Sequence, residues 1–214
     1  MSKIDKKIEG AKELFEEKKF DQVLTILESL SNKKLIKKQK FEVKLLQGVV
    51  RMNLNQYDES KKDLYEALEQ AEDNENLWQQ TRALHQLGII MKLLGDYPLA
   101  TEYFREELRR CSSLIPSYYS DLSYNFYEQG DVMMLSGNYE DAEMYFNHAY
   151  TFANTERNHH GIALAMEALG NLNLHLDRNA NVIEYFQKSV ENFKKAEAFD
   201  EAEAVQSKID ELTD

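Results

Sequence analysis

Apolar residues recur three and four apart along this chain, break at short polar turns, and then resume. The clearest instance is residues 88–104. Leu84, Leu87, Gly88 and Met91 fall on one helical face, Gly95-Asp96 interrupts the pattern, and Ala100, Phe104 and Leu108 restore it. Gly95 suits a left-handed helix end, Asp96 is placed to cap the next helix, and Pro98 stands in that helix's first turn, where a missing N–H costs nothing. Asn138 and Asp58 are expected to do the same work in neighbouring copies. Gly88 has no side chain, so the partner helix can approach closely and Tyr97 or Phe104 can fill the space beside it.

The unit is repeated. A small residue is followed by a turn seven residues on, an apolar or small residue five further, and a large apolar residue four beyond that. The five versions are Ala11, Lys18, Val23, Leu27; Gly48, Asn55, Ser60, Leu64; Gly88, Gly95, Ala100, Phe104; Gly130, Gly137, Ala142, Phe146; and Gly170, Asp177, Val182, Phe186. From copy to copy the small residue advances by 37, 40, 42 and 40 positions. A hairpin with one exposed apolar face must stack on its neighbours, so the pattern predicts an all-α array with a continuous core. Two prolines and eight glycines in 214 residues leave helices of this length unbroken.

These residues and offsets resemble the tetratricopeptide repeat family, in a long variant of about 40 residues per unit, similar to tetratricopeptide modules of bacterial peptide-sensing regulators and of adaptors. The resemblance covers about Ile4 to Ala196 and implies a right-handed superhelix of about five antiparallel helical hairpins. Units are expected near 4–36, 41–74, 77–114, 118–156 and 159–196 within one domain, 1–214, with a lone capping helix at 199–212. Polar turns are expected at Ser31–Lys34, Asp73–Asn76, Ser112–Ser117 and Asn154–His160. The fifth unit diverges, with Asn179 where the others place a turn aromatic.

In such a stack the first helix of each unit lines a concave side. The face expected to meet a ligand comprises Arg82, His85, Gln86 and Lys92 in unit 3, Tyr124, Tyr127, Glu128 and Asp131 in unit 4, and Glu167, Asn171 and His175 in unit 5. Amides there pair with an extended peptide's backbone and aromatics receive its side chains. The carboxylate-gripping mode of some family members maps onto Ile8, Lys12, Leu46, Arg82 and Gln86, where only Lys12 and Arg82 match in charge. Glu128, Asp131 and Glu167 instead favour a peptide or protein partner bearing positive charge.

Charge narrows the partner classes. The formal net charge is −12, yet residues 1–51 hold 13 basic against 8 acidic residues. The remainder is strongly acidic, which argues against nucleic acid and membrane surfaces as partners of the main body. The lysines at 33, 34, 37, 38 and 40 read most simply as a solvated helix start. No phosphate loop, His-Glu-x-x-His or Gly-x-Ser-x-Gly occurs, so no enzyme, no cofactor and no metal are expected. His159-His160 diverge around a helix and lack further ligands nearby, and Cys111, beside Arg109-Arg110, reads as a half-buried thiol. A single Cys, with no signal-like or membrane-length apolar run, fits a cytoplasmic protein.

The leading reading is a non-enzymatic protein- or peptide-binding module. A peptide-sensing or accessory component of a transcriptional regulator is the alternative. With the first repeat beginning near residue 4, that component is expected to lack a DNA-binding domain of its own. A self-assembling scaffold, including a homodimer through exposed apolar surface, is the third reading.

Overall fold

The computed structural model describes residues 2–31, 33–111 and 119–213, and the side chains of 119 and 120 fall outside that description. Five helical hairpins and a terminal helix follow one another. They are α1 (Lys3–Glu16) with α2 (Phe20–Ser31), α3 (Lys37–Asn53) with α4 (Tyr57–Asp73), α5 (Leu77–Leu93) with α6 (Tyr97–Cys111), α7 (Tyr119–Leu135) with α8 (Tyr139–Thr155), α9 (His159–His175) with α10 (Val182–Lys195), and α11 (Phe199–Thr213). The chain divides into two compact units, Met1–Ser113 with α1–α6 and Leu114–Asp214 with α7–α11. The turn expected at Ser112–Ser117 lies outside the described residues.

The repeated offsets have a direct structural meaning. The turn position of every copy is left-handed: Lys18, Asn55, Gly95, Gly137 and Asp177 have φ of 58°, 58°, 79°, 78° and 56°. Only two of the five are glycine, so the hairpin geometry imposes that conformation even on residues with a Cβ, at about 1 kcal/mol each. The small position is where helices touch. A Cβ added at Gly88 would stand 2.5 Å from the Phe104 ring, and at Gly130 and Gly170 it would stand 2.6 and 2.5 Å from Phe146 and Phe186. Phe104, Phe146 and Phe186 are each at most 1% exposed.

Capping departs in part from expectation. Asp96 Oδ1 accepts the Leu99 N–H at 3.2 Å, as its position implies. Asn138 makes no side-chain cap bond, and Asp58 sits within the first turn of α4 behind Gln56, which makes none either. Further side-chain caps are Ser2 on Asp5 N–H at 3.1 Å, Asn76 on Gln79 N–H at 3.0 Å and Asn158 on Gly161 N–H at 3.0 Å, at helices that begin hairpins. In the fifth hairpin a short 3-10 turn, Asn179–Asn181, takes the place of the first helical turn, which accounts for its divergent sequence. Ala202, Val205 and Ile209 of α11 close the core against Val190 and Phe193, while Glu203, Gln206, Ser207 and Asp210 face outward, so α11 is a polar cap.

The first unit also holds polar ties between hairpins. Arg110 reaches back to Glu72 at 3.1 Å and to Gln80 at 2.9 Å, and with Arg109 it clamps Glu106. The Arg109 guanidinium, reinforced by Arg110, lowers the Glu106 carboxyl to about 2. A folded-state value below the ordinary 4.5 means that this contribution is present above pH 4.5 and lost as pH falls toward 2. Acid unfolding of the Glu106→Gln variant, followed by circular dichroism, should therefore show a shallower loss of stability across that window than the parent. Parallel curves would refute the assignment.

Candidate functional site

In the second unit, Tyr124, Tyr127, Glu128 and Asp131 lie three, four and seven residues apart on α7, and His160, Glu167, Asn171 and His175 form the matching stripe on α9. Both helices open their hairpins and pack side by side. Tyr127 is the centre of this face. Its ring is half-buried against Phe146, with centroids 6.1 Å apart. Burial, then the charges of Asp131, Glu128 and Glu167, push its phenol well above the ordinary tyrosine value. The hydroxyl therefore stays protonated and able to donate a hydrogen bond.

One cation of the chain itself reaches this face. Lys208, on α11, places Nζ 2.7 Å from Glu167 Oε1 and 3.2 Å from Asn171 Oδ1, and 5.7 Å from the centroid of Phe186. Sequence reasoning missed it, having assigned α11 only as a cap. The available signal was its place beside the buried Ile209, which turns it toward α9.

Tyr124 and His175 are engaged within the unit. The Tyr124 hydroxyl lies 3.2 Å from His160 Nδ1 and accepts from Asn158 Nδ2 at 3.4 Å. His175 Nε2 lies 2.8 Å from the Tyr139 hydroxyl, their rings 4.8 Å apart. His159 turns the other way, its Nδ1 3.0 Å from Asn192 Oδ1, so the two histidines diverge. Among the described residues no three His, Cys, Asp or Glu side chains gather in a metal-binding group.

The residues named on α5 belong to the first unit. Arg82 and Gln86 border a pocket of about 320 Å3 floored by Phe15, Leu45, Leu46 and Val49 of α1 and α3. Arg82 is exposed and lies 4.6 Å over the ring of Trp78. His85 turns toward α6 instead of lying open. Its Nδ1 is 2.9 Å from Glu107, a carboxylate 2% exposed, and its ring packs edge-on against Phe104 at 5.7 Å. Lys92 is half-buried near the end of α5, and Cys111 is buried at the end of α6.

Charge separates the two units. The first holds 20 basic and 20 acidic residues, the second 6 and 18, so the whole net charge of −12 belongs to the unit that carries the Tyr127 face.

Residues 41–74 and 122–195 match family models described as tetratricopeptide repeat, together just over half of the chain. No curated protein matches by sequence. Among solved structures, the Rap conjugation gene regulator of plasmid pLS20, in complex with the Phr* peptide, is similar over 96% of this chain at 17% identity with a TM-score of 0.81. This chain spans 56% of that protein. Bacillus thuringiensis PlcR, in complex with the peptide PapR7 and DNA, is similar over 94% of this chain and 73% of its own at 15% identity, TM-score 0.78. The kinesin light chain TPR-like repeats of Podosopora anserina match 91% of this chain and 96% of theirs at 12% identity, TM-score 0.69. At these identities the likeness is one of fold. Among the described residues no helix is long and apolar enough to cross a membrane.

Proposed function

Because this chain belongs to the tetratricopeptide repeat family, we propose that it is a non-catalytic module that binds an extended, positively charged peptide or protein segment on the α7–α9 face of its second unit. The observation that carries this reading is that Glu128 and Asp131 share one stripe of α7 with Tyr127, while Glu167 stands with the Asn171 amide on the packed α9, the three carboxylate charges all acting on the Tyr127 phenol. An incoming lysine or arginine finds carboxylate acceptors on a face where the net charge favours its approach. With its Oδ1 turned to Lys208, Asn171 keeps its Nδ2 group to donate to a peptide carbonyl. Rap and PlcR supply support of a general kind, being proteins of similar fold that hold peptides. The same support makes a peptide-sensing accessory of a transcriptional regulator the second reading. A cytoplasmic setting fits both.

Lys208 already draws on Glu167 and Asn171, so a ligand cation competes with it. Fluorescence polarisation with a labelled lysine-bearing peptide, against the same peptide bearing glutamate, tests the proposal on the full chain. The lysine peptide should bind tighter. Asp131→Asn and Tyr127→Phe should each weaken it about three- to tenfold, the scale of one partly exposed polar contact, and Lys208→Met should strengthen it. Equal affinity for the two peptides, or unchanged affinity in variants that melt like the parent, would remove the reading.

A further inference from the structure

A different surface, on the first unit, has the opposite chemistry. We infer that the edge formed by Ile36, Lys37, Lys38, Trp78 and Arg82 docks an acidic protein segment that carries an apolar anchor residue. The inference is independent of the Tyr127 face and of the partner proposed for it.

The edge lies where α3 and α5 begin side by side. Ile36, just before α3, is 64% exposed, and Trp78, in the first turn of α5, is 49% exposed. Two large apolar side chains open to water at neighbouring helix starts have no folding reason to be there, since both core stripes are filled by other residues, Phe41 and Val43 on α3 and Leu84 and Leu87 on α5. Beside Trp78 runs an open cleft of about 520 Å3, bordered also by Lys37, Lys38, Glu42 and Asn74.

Cations outnumber carboxylates at that cleft, where Lys37 and Lys38 stand against Glu42 alone. The Lys38 side chain is 74% exposed, and its nearest carboxylate, Glu42 at 3.9 Å, is shared with Lys12 at 3.6 Å. Lys37 donates to a backbone carbonyl, that of Asp73, at 3.1 Å, so its charge is solvated but not neutralised there. The starts of α3 and α5 add the positive ends of their helix dipoles.

Trp78 and Arg82 are arranged for contact. The guanidinium lies 4.6 Å from the indole centroid, which holds both side chains before a partner arrives and lowers the entropy lost on docking. Tryptophan and arginine are the residue types that dominate interface energetics when a partner closes over them. A narrow cationic rim around an exposed indole fits a polypeptide with carboxylates flanking an apolar side chain. Extended polyanions need a longer cationic track than the two lysines that border this cleft, and so fit less well.

Trp78 is the sole tryptophan of the chain, so its fluorescence reports this edge alone. The full chain is titrated with an acetylated, amidated peptide of alternating Asp and Glu around one Leu and one Phe, and with its lysine counterpart. The acidic peptide should shift Trp78 emission to the blue and saturate, and the midpoint should move upward as ionic strength rises from about 0.05 to 0.3 M, where the Debye length falls from about 14 to about 6 Å. Lys37→Glu combined with Lys38→Glu should weaken binding at least tenfold with an unchanged circular dichroism spectrum, whereas Asp131→Asn should leave it as it was. A flat titration would overturn the inference, as would an equal response to the lysine peptide. A stronger response to phosphatidylserine vesicles or single-stranded DNA than to the acidic peptide would overturn it in favour of those anions.

Discussion

Replacing Phe146 with alanine is expected to destabilise the second unit by about 3–5 kcal/mol, the largest effect of any substitution considered, read as a shift of the urea midpoint. The ring is 1% exposed and fills the gap left by Gly130, where an added Cβ would stand 2.6 Å from it. It also supports Tyr127 from beneath, so the same variant should lose the lysine-peptide affinity along with stability. The pairing of glycine with phenylalanine is tested by a cycle. Gly130→Ala overpacks the contact by about 1–3 kcal/mol, less the ~1 kcal/mol that alanine adds to a helix interior. Phe146→Leu alone leaves a cavity. Together they recreate the pair that the first hairpin uses, Ala11 with Leu27, both fully buried. The double variant should therefore cost less than the sum of the singles by at least 0.5 kcal/mol. Additive costs would show that the two positions do not depend on each other.

Loss of the Asp63 carboxylate should have the next largest effect. Asp63 is 2% exposed on α4 and bonds both Lys44, at 2.9 Å, and Arg51, from α3. Removing one partner from a buried pair commonly costs about 3–5 kcal/mol, because the remaining charge is left uncompensated. Here Lys44 keeps Glu66 at 2.7 Å, Arg51 keeps Glu28 at 3.0 Å, and both cations are partly exposed, which reduces the expected cost of Asp63→Ala to about 2–3 kcal/mol. Equilibrium urea unfolding of the first unit's signal measures it. A change under 1 kcal/mol would mean that solvent and the outer carboxylates already neutralise the two cations.

The repeated unit was legible because its causes are local. A small residue, a left-handed turn seven positions on and a large apolar residue nine beyond that turn define one hairpin, and the described hairpins follow that spacing even where lysine, asparagine or aspartate holds the turn. The candidate face was legible in part. Tyr127, Glu128 and Asp131 could be placed on one stripe of α7, and Glu167 and Asn171 on one stripe of α9, from helical periodicity, since i, i+3, i+4 and i+7 share a face whatever surrounds them.

Other features lay beyond reach because they depend on which residues meet across sequence distance. Lys208 comes to Glu167 from 41 positions away, and that approach follows from how α11 settles on the fifth hairpin. His85 sits on the same helix as Arg82 and obeys the same periodicity, yet a buried Glu107 on α6 draws it inward while Arg82 turns out over Trp78. Asn138 and Asp96 both precede a helix, and only Asp96 has the geometry to reach the N–H it would cap. By itself, then, the sequence determined the hairpins, their number and the glycine–aromatic contacts within them, through spacings that need only a few bonds of backbone geometry. Tertiary structure decided which polar and charged side chains are tied and which stand open. That outcome depends on the register between helices, and a shift of one residue, about 100° around an α-helix, exchanges one partner for another.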